Sequence, residues 1–224
     1  PKTIIKMRKI FSMLAIATAV ITFTSCDAHK DFPDTDTKVC HVLCSDGKIM
    51  PITDVEKQHK TPVAVVFDIN IDDNTSGNGT AVYLYEITPS AFADSLGVKQ
   101  STSADVTKWD GNENTFNMFN CRDVSSPLAN SVFELWNNGQ SAYIPSVSQM
   151  RMLYAAKDFI NPILKQCGGD PIPDNPEDCW YWTSTEVSGQ ELVKAWLYSL
   201  SSGSMQETPK TQSHKARAIL TLNN

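Results

Sequence analysis

Short apolar runs separated by polar turns fill the first half of the chain after its initial hydrophobic segment. Residues 38–52, "KVCHVLCSDGKIMPI", contain two such runs around the dipeptide Asp46-Gly47. Asp-Gly is a favoured two-residue turn between antiparallel strands, because both positions tolerate a left-handed backbone. The pattern therefore predicts a β-hairpin.

The next apolar segments also favour strands. Residues 61–71 are rich in β-branched side chains and predict a buried strand, and residues 80–88 predict its antiparallel partner. The following stretch, 91–97, predicts a short helix that ends at a glycine. The N-terminal part, 38–105, is thus expected to be rich in β-structure.

Helical periodicity begins further along the chain. Ser126 and Pro127 provide an N-cap and a proline at the first helical position, and Gly139 provides a stop. One face of this predicted helix carries Leu128, Val132, Leu135 and Trp136.

A second helix is predicted from a capping box, in which Ser146 is followed by Gln149. We expect Asn161-Pro162 to break or restart this helix and Gly168 to end it. The predicted buried stripe consists of Met150, Leu153, Ala156 and Ile160.

Three predicted strands close the sequence, at residues 179–186, 191–200 and 215–222, with polar turns between them. Two helices lie between β-rich halves without a repeated strand–helix–strand rhythm. This order predicts an α+β fold rather than a parallel α/β fold.

The N-terminus has the layout of an export signal. Lys6, Arg8 and Lys9 precede an apolar run at residues 10–23, which is shorter than the roughly 18–20 residues of a spanning helix. The sequence "FTSC" then resembles the lipobox of bacterial lipoproteins, which implies cleavage after residue 25 and acylation of Cys26. An ordinary signal with an incidental Cys26 is the alternative.

Residues 26–37 are polar and predict a flexible tether between the lipid and the folded part. Lys30-Asp31 resembles the charged signals that send some lipoproteins to the outer face of the outer membrane. We therefore expect a surface-exposed outer-membrane lipoprotein, with the membrane as a partner through the lipid.

Charge argues against nucleic-acid binding. The chain has 19 basic and 25 acidic residues, a net charge of −6. Removal of the predicted signal, which contains four basic residues and no acidic ones, leaves 15 basic residues against 25 acidic, or −10. Affinity for nucleic acid depends largely on basic side chains at phosphates.

Five cysteines follow Cys26, and an exported chain is free to form disulfides. Five is an odd number, so at least one thiol stays free or pairs between molecules. Cys167 and Cys179 flank a loop rich in glycine and proline and are the predicted disulfide.

The C-terminal half contains an ordered series of motifs, "DGNENT", "WNNG", "YIPSVSQM", "YWTSTE" and "KARAI", over residues 110–222. The series resembles the C-type-lectin-like domain of bacterial surface lipoproteins. Relatives of this domain include the C-terminal domains of collagen-like adhesins and, more distantly, formylglycine-generating enzymes. The resemblance implies a domain at residues 106–224, with two helices packed on short twisted antiparallel sheets and an N-terminal β-hairpin region.

In that fold "YWTSTE" is a core strand. Trp180 and Trp182 then share one face and Tyr181 lies on the other. The minority alternative is that the tryptophans stack on a ligand. We expect Arg217 to pair with a carboxylate that holds the last strand, with Glu186 as the candidate.

The resemblance implies a non-enzymatic surface protein that recognises an unknown glycan or protein through the loops between its last strands. A structural subunit of an envelope or pilus-like assembly is the alternative. An enzyme is third, since the reactive cysteine pair of the formylglycine-generating relatives has no counterpart after Cys179. No metal or cofactor is predicted, because the calcium motifs of carbohydrate-binding lectins are missing from the sequence. The candidate contacts are Gln190, Gln206, Glu207, Lys210 and Gln212.

Overall fold

The computed structural model describes residues 36–69, 79–133, 135 and 142–222. These residues belong to one compact unit, Asp34–Asn224. The predicted signal, Cys26 and most of the tether lie outside the described residues.

The described residues form ten strands and four helices. The strands are β1 (Val42–Cys44), β2 (Ile49–Met50), β3 (Pro62–Asp68), β4 (Gly79–Tyr83), β5 (Ile87–Ala91), β6 (Trp180–Glu186), β7 (Lys194–Ser199), β8 (Met205–Pro209), β9 (Ser213–Ala216) and β10 (Ile219–Leu222). The helices are α1 (Ile52–Lys57), α2 (Gly111–Asn120), α3 (Pro127–Phe133) and α4 (Val147–Gln166).

The strands form two five-stranded sheets. The first sheet has the order β10-β4-β3-β1-β2 and is antiparallel throughout. The second has the order β5-β9-β6-β7-β8 and is mixed, because β6 and β9 pair in parallel where Tyr181 meets Lys215. The predicted α+β class is confirmed.

The predicted N-terminal hairpin and the antiparallel pair that follows it are both confirmed, as β1–β2 and β3–β4. Strand β3 is buried on both faces. Val65 and Phe67 contribute to the core beneath α4, whereas Ala64 and Val66 contribute to a second core that includes α3. Burial of both faces explains why this strand is a continuous run of β-branched residues.

Helix α4 begins with the predicted capping box. The Gln149 amide donates to Ser146 Oγ at 3.4 Å, and the Ser146 amide donates to Gln149 Oε1 at 2.9 Å. Gly168 follows the helix with a φ of 75°, a left-handed conformation that suits glycine.

The predicted break at Pro162 is wrong, since α4 continues to Gln166. Ile160 and Leu164 are buried on either side of the proline and hold this part of the helix against the core. The Asn161 side chain adds a paired contact with the Ile172 backbone, at 2.8 and 2.9 Å. Tertiary packing thus outweighs the one helical hydrogen bond that proline cannot make.

The helix predicted at 91–97 is also wrong. Strand β5 occupies Ile87–Ala91, and turns follow it. Phe92 is buried with its ring edge-on to Trp182, at 5.6 Å between centroids, and the Ala93 amide donates to the Lys210 carbonyl at 3.0 Å. These long-range contacts fix an extended path.

Helices α1 and α2 and strand β8 were not predicted, so the described part has four helices rather than two. The strands predicted at 80–88 and 215–222 are both interrupted, and each continues in the other sheet, as β4 then β5 and as β9 then β10. Helix α3 begins as predicted, with the Ala129 amide donating to Ser126 Oγ at 3.1 Å. Its predicted end at Gly139 lies outside the described residues.

Strand β6 has the predicted facing. Trp182 is fully buried in one core and Trp180 packs against the same core, whereas Tyr181 lies in the other. The strand near the C-terminus is therefore interior for most of its length.

Candidate functional site

A buried ion pair lies behind the turns that were predicted to bind a ligand. Lys210 Nζ is 2.7 Å from Glu186 Oε1, with the two side chains 0% and 1% exposed. The ammonium group also donates to the carbonyls of Val98 and Glu191, at 2.8 and 2.9 Å. The prediction that Lys210 contacts a ligand at the surface is wrong, because its ammonium group is buried and has three partners inside the molecule.

The carboxylate of this pair is equally occupied. Glu186 accepts hydrogen bonds from the Gln100 amide at 2.9 Å and from the Thr102 amide and hydroxyl at 3.3 and 3.0 Å. Both residues that donate these three hydrogen bonds, Gln100 and Thr102, come from the segment before α2. The pair therefore ties that segment to β6.

Arg217 does not pair with Glu186, so that prediction is wrong. Its Nη2 donates to the carbonyls of Leu84 and Asp170 at 3.0 and 2.6 Å, and its Nη1 lies 4.0 Å from Glu86 Oε1. Its role in holding the last strand is carried mainly by backbone carbonyls.

The Glu86 carboxylate also contacts Tyr181 and Lys215. It accepts a hydrogen bond from the Tyr181 hydroxyl and forms an ion pair with Lys215, whose Nζ lies 3.2 Å from Glu86 Oε2. Burial, together with the hydrogen bond to Glu86, raises the pKa of Tyr181. The phenol therefore stays protonated at neutral pH and serves as a donor.

The other predicted contacts lie at the edge of the second sheet. Gln190 and Lys194 both donate to Glu207 Oε2, each at 3.0 Å. Gln206 and Glu207 were expected in a turn but lie on β8, and Gln212 Oε1 lies 3.3 Å from His214 Nε2. These polar side chains largely contact one another, and ligand binding by them stays a prediction.

A groove of about 370 Å³ crosses this sheet beside the half-buried Trp180. Gln206 is the one predicted contact that lines it. The other polar side chains of its lining are Glu177, Asp178, Ser213, His214 and Lys215. This lining combines charged side chains of both signs with one indole ring, which provides an apolar face for a ligand.

The clearest surface feature is helix α2, whose polarity is reversed. Asn114 and Thr115 are buried, whereas Phe116 and Phe119 are 59% and 44% exposed. The two phenylalanines are three residues apart and so lie on the same side of the helix. Trp109, just before the helix, is also exposed.

The buried polar side of α2 is satisfied by hydrogen bonds. Asn114 Nδ2 donates to Asp110 Oδ1 at 2.8 Å, and its Oδ1 accepts from the Ser103 amide at 3.1 Å. The Thr115 hydroxyl lies 2.7 Å from the Gly111 carbonyl and accepts from the Ile144 amide at 2.9 Å. This helix is therefore held by polar contacts together with the buried Met118, whereas Phe116 and Phe119 remain at the surface.

The half-buried Phe133 of α3 contacts this exposed pair. Its ring centroid lies 3.8 Å from that of Phe119. We call Phe116, Phe119 and Phe133 the aromatic patch. Clustered exposed aromatic side chains on a folded protein usually mark a surface that another molecule covers.

A smaller apolar group lies just before β7. Leu192 and Val193 belong to the strand predicted at 191–200 but precede β7 and are exposed. The Leu192 carbonyl accepts a hydrogen bond from the Gly97 amide at 2.8 Å, which brings the exposed Leu96 alongside.

The structure places the predicted disulfide partners, Cys167 and Cys179, in different surroundings, and both are free thiols. Cys179 is buried, with its Sγ 3.0 Å from Ser199 Oγ and 3.2 Å from the Pro176 carbonyl. Cys167 follows the last turn of α4 and packs instead against the cluster that contains Cys44.

Within the described ranges no three His, Cys, Asp or Glu side chains come close enough to hold a metal ion. The same part of the chain contains no helix of the length and apolarity that a membrane span requires.

No protein-family model and no curated protein matches this sequence. Among solved structures, the fold is similar to that of a fimbrial protein from Bacteroides ovatus ATCC 8483, with a TM-score of 0.64 and 14% sequence identity. The match covers 83% of this chain and 49% of the fimbrial protein, so this chain spans about half the length of that relative. At this identity the likeness establishes a shared fold.

Proposed function

We propose that this protein is a structural subunit of a pilus-like assembly at the cell surface. The observation that carries the proposal is the fold that it shares with a fimbrial protein over 83% of its length. The predicted export signal and the lipobox at Cys26 support delivery to the outer membrane.

The aromatic patch provides a surface for such an assembly, with a second copy of this chain as the occupant. Phe116 and Phe119 expose rings on a helix whose inner side is already satisfied by polar contacts. Aromatic side chains dominate the binding energy of protein interfaces, because each buries a large area with little loss of conformational freedom.

Two further features favour assembly over ligand recognition. The second sheet ends at the five-residue strand β8, which pairs with β7 alone among the described strands. A strand at a sheet edge presents backbone groups to which another chain can add. In addition, the five described cysteines are free thiols, and the half-buried Cys40 and Cys121 are open to a link between molecules.

The proposal is tested by analytical ultracentrifugation of residues 34–224 over a concentration series. We expect concentration-dependent self-association, and Phe116→Lys should raise the dissociation constant at least about tenfold, as for an aromatic residue at the centre of an interface. The melting temperature should stay unchanged, because this side chain makes few intramolecular contacts.

The matched control is Phe159→Lys on α4, where an even more exposed phenylalanine (69%) lies outside the patch. This variant should associate like the unmodified protein. Equal weakening by both variants would refute the patch as the interface. A chain that stays monomeric at every concentration, and forms no filaments in negative-stain electron microscopy, would refute the assembly proposal itself.

The groove beside Trp180 supports a second candidate, the recognition of a glycan or surface protein by a C-type-lectin-like domain. The sequence motifs and the indole ring at the groove favour it. In a glycan and surface-protein binding screen, a signal that Trp180→Ala abolishes without changing self-association would favour recognition over assembly.

A further inference from the structure

One small core cluster brings together two cysteines, Cys44 of β1 and Cys167 at the end of α4. Val42 and Cys44 lie in one small core cluster with Met50 and Val55. Ile163 and Cys167, four residues apart on one side of α4, pack against that same cluster.

Cys40 and the cluster that contains Cys44 contact the same helix at two levels. Cys40, just before β1, has its Sγ 3.4 Å from the Phe159 carbonyl. Ile163 and Cys167 lie one and two turns further along α4. Both pack against the cluster that contains Cys44, which makes Cys167 the cysteine of α4 that can reach it.

We propose that Cys44 and Cys167 form a disulfide when the chain folds in an oxidising compartment. The bond would link the N-terminal strand of the first sheet to the C-terminal end of the longest described helix. It replaces the predicted pairing of Cys167 with Cys179, whose thiol is enclosed by Ser199 and Pro176.

The surroundings of the two thiols allow an oxidant to reach one of them. Cys167 is half-buried and lines an open pocket with His59 and Lys60, whereas Cys44 is buried behind it. Burial and the neighbouring Cys44 raise the pKa of Cys167 to about 11. Burial likewise raises the pKa of Cys44.

Burial of Cys44, which is 2% exposed, hinders thiol exchange in the folded protein, and the raised pKa values add to this because only the thiolate attacks a disulfide. The bond therefore forms mainly during folding, while the thiols still have ordinary reactivity. Once formed, it closes a loop that contains most of the domain, and long loops restrict the unfolded chain most.

The oxidant is a second disulfide, such as oxidised glutathione. The Cys167 thiolate attacks one oxidant sulfur and expels the other as a thiolate, which leaves a mixed disulfide. The Cys44 thiolate then attacks the Cys167 sulfur and expels the second thiolate. Two cysteine protons pass to the released thiols, so two cysteines are oxidised and one external disulfide is reduced.

The test is oxidative refolding of residues 34–224 from denaturant in a glutathione buffer, followed by alkylation and peptide mapping by mass spectrometry. We expect one cross-linked peptide pair, Cys44 with Cys167, and a higher denaturant midpoint than after reduction. The difference in midpoint should disappear in Cys44→Ala and in Cys167→Ala and persist in the control Cys179→Ala.

Peptide mapping of the unmodified protein decides the question even if a variant fails to fold. Five alkylated thiols after oxidative refolding, or a cross-link between any other pair, would overturn the proposal. Rapid formation of the bond in the already folded protein would support the pairing but refute the proposed timing.

Discussion

The pair formed by Lys210 and Glu186 illustrates how little a local sequence says about a buried charge. Lys210 lies among polar residues between β8 and β9, a composition typical of a solvated turn. Its ammonium nevertheless has a carboxylate and two carbonyls as partners, and it lies 5.6 Å from the centre of the Phe92 ring. The carboxylate, the two carbonyls and the ring all come from other segments of the chain, so only the tertiary structure reveals them.

Loss of Lys210 should therefore be costly. We expect Lys210→Met to lower the free energy of unfolding by about 3–5 kcal/mol, because it leaves Glu186 as an unpaired charge in the interior. Urea denaturation followed by tryptophan fluorescence measures the change. The double variant with Glu186→Gln should recover part of the loss.

The control for this variant is Lys194→Met. Lys194 pairs with Glu207 at 3.0 Å, but both side chains are more than a third exposed. Such surface pairs contribute no more than about 1 kcal/mol. Equal losses of unfolding free energy in Lys194→Met and Lys210→Met would show that burial does not determine how strongly the Lys210 pair stabilises the fold.

Helices and strands were predicted correctly where the local sequence pattern and the tertiary contacts favour the same secondary structure. Helix α4 was predicted from its first turn because Ser146 and Gln149 satisfy its free amides locally, whatever the rest of the fold does. Strand β8 was missed because "MQETP" has the composition of a turn, and its pairing with β7 supplies the missing preference.

Helix α2 was missed for a different reason. Its interior side carries Asn114 and Thr115 and its outer side carries Phe116 and Phe119, which is the reverse of ordinary amphipathicity. A search for an apolar stripe that faces a core cannot find such a helix. The same phenylalanines belong to the aromatic patch, so neither the helix nor the proposed interface was predicted from the sequence.

The capping box of α4 provides a test at this scale. Ser146→Ala should lower the free energy of unfolding by about 1–2 kcal/mol, since it removes the N-cap acceptor and the hydrogen bond from Ser146 Oγ to the Lys108 carbonyl. The matched control is Ser131→Ala inside α3, where alanine is a better helix former and the change should stay within about 0.5 kcal/mol. A null effect at Ser146 would mean that packing alone positions α4.

In the whole molecule, the first sheet combines strands from both ends of the chain. Strand β10 pairs with β4, and Tyr143 forms a bridge to Ile219 on its other edge. The sequence predicted both strands but not their pairing, because register across more than a hundred residues depends on the cores that they share. Ile219 faces one core, and Leu220 and Leu222 face the other.

Removal of β10 should abolish the fold. Burial of its three large aliphatic side chains contributes roughly 5–9 kcal/mol in total. That amount is comparable with the net stability of a typical domain, about 5–15 kcal/mol. A chain that ends after Ala216 should show no cooperative urea transition, whereas a chain that ends after Leu222 should unfold like the full-length protein. Cooperative unfolding of the shorter chain would show that β4 tolerates an open edge.

The pairing of β10 with β4 also sets an order of events during synthesis. Ribosomes make the chain from its N-terminus, so β4 exists long before the strand that covers it. Until β10 emerges, the first sheet lacks one edge strand and the apolar faces of β4 remain uncovered. The domain therefore spends most of its synthesis with an incomplete sheet, and cooperative folding has to wait until β10 is made.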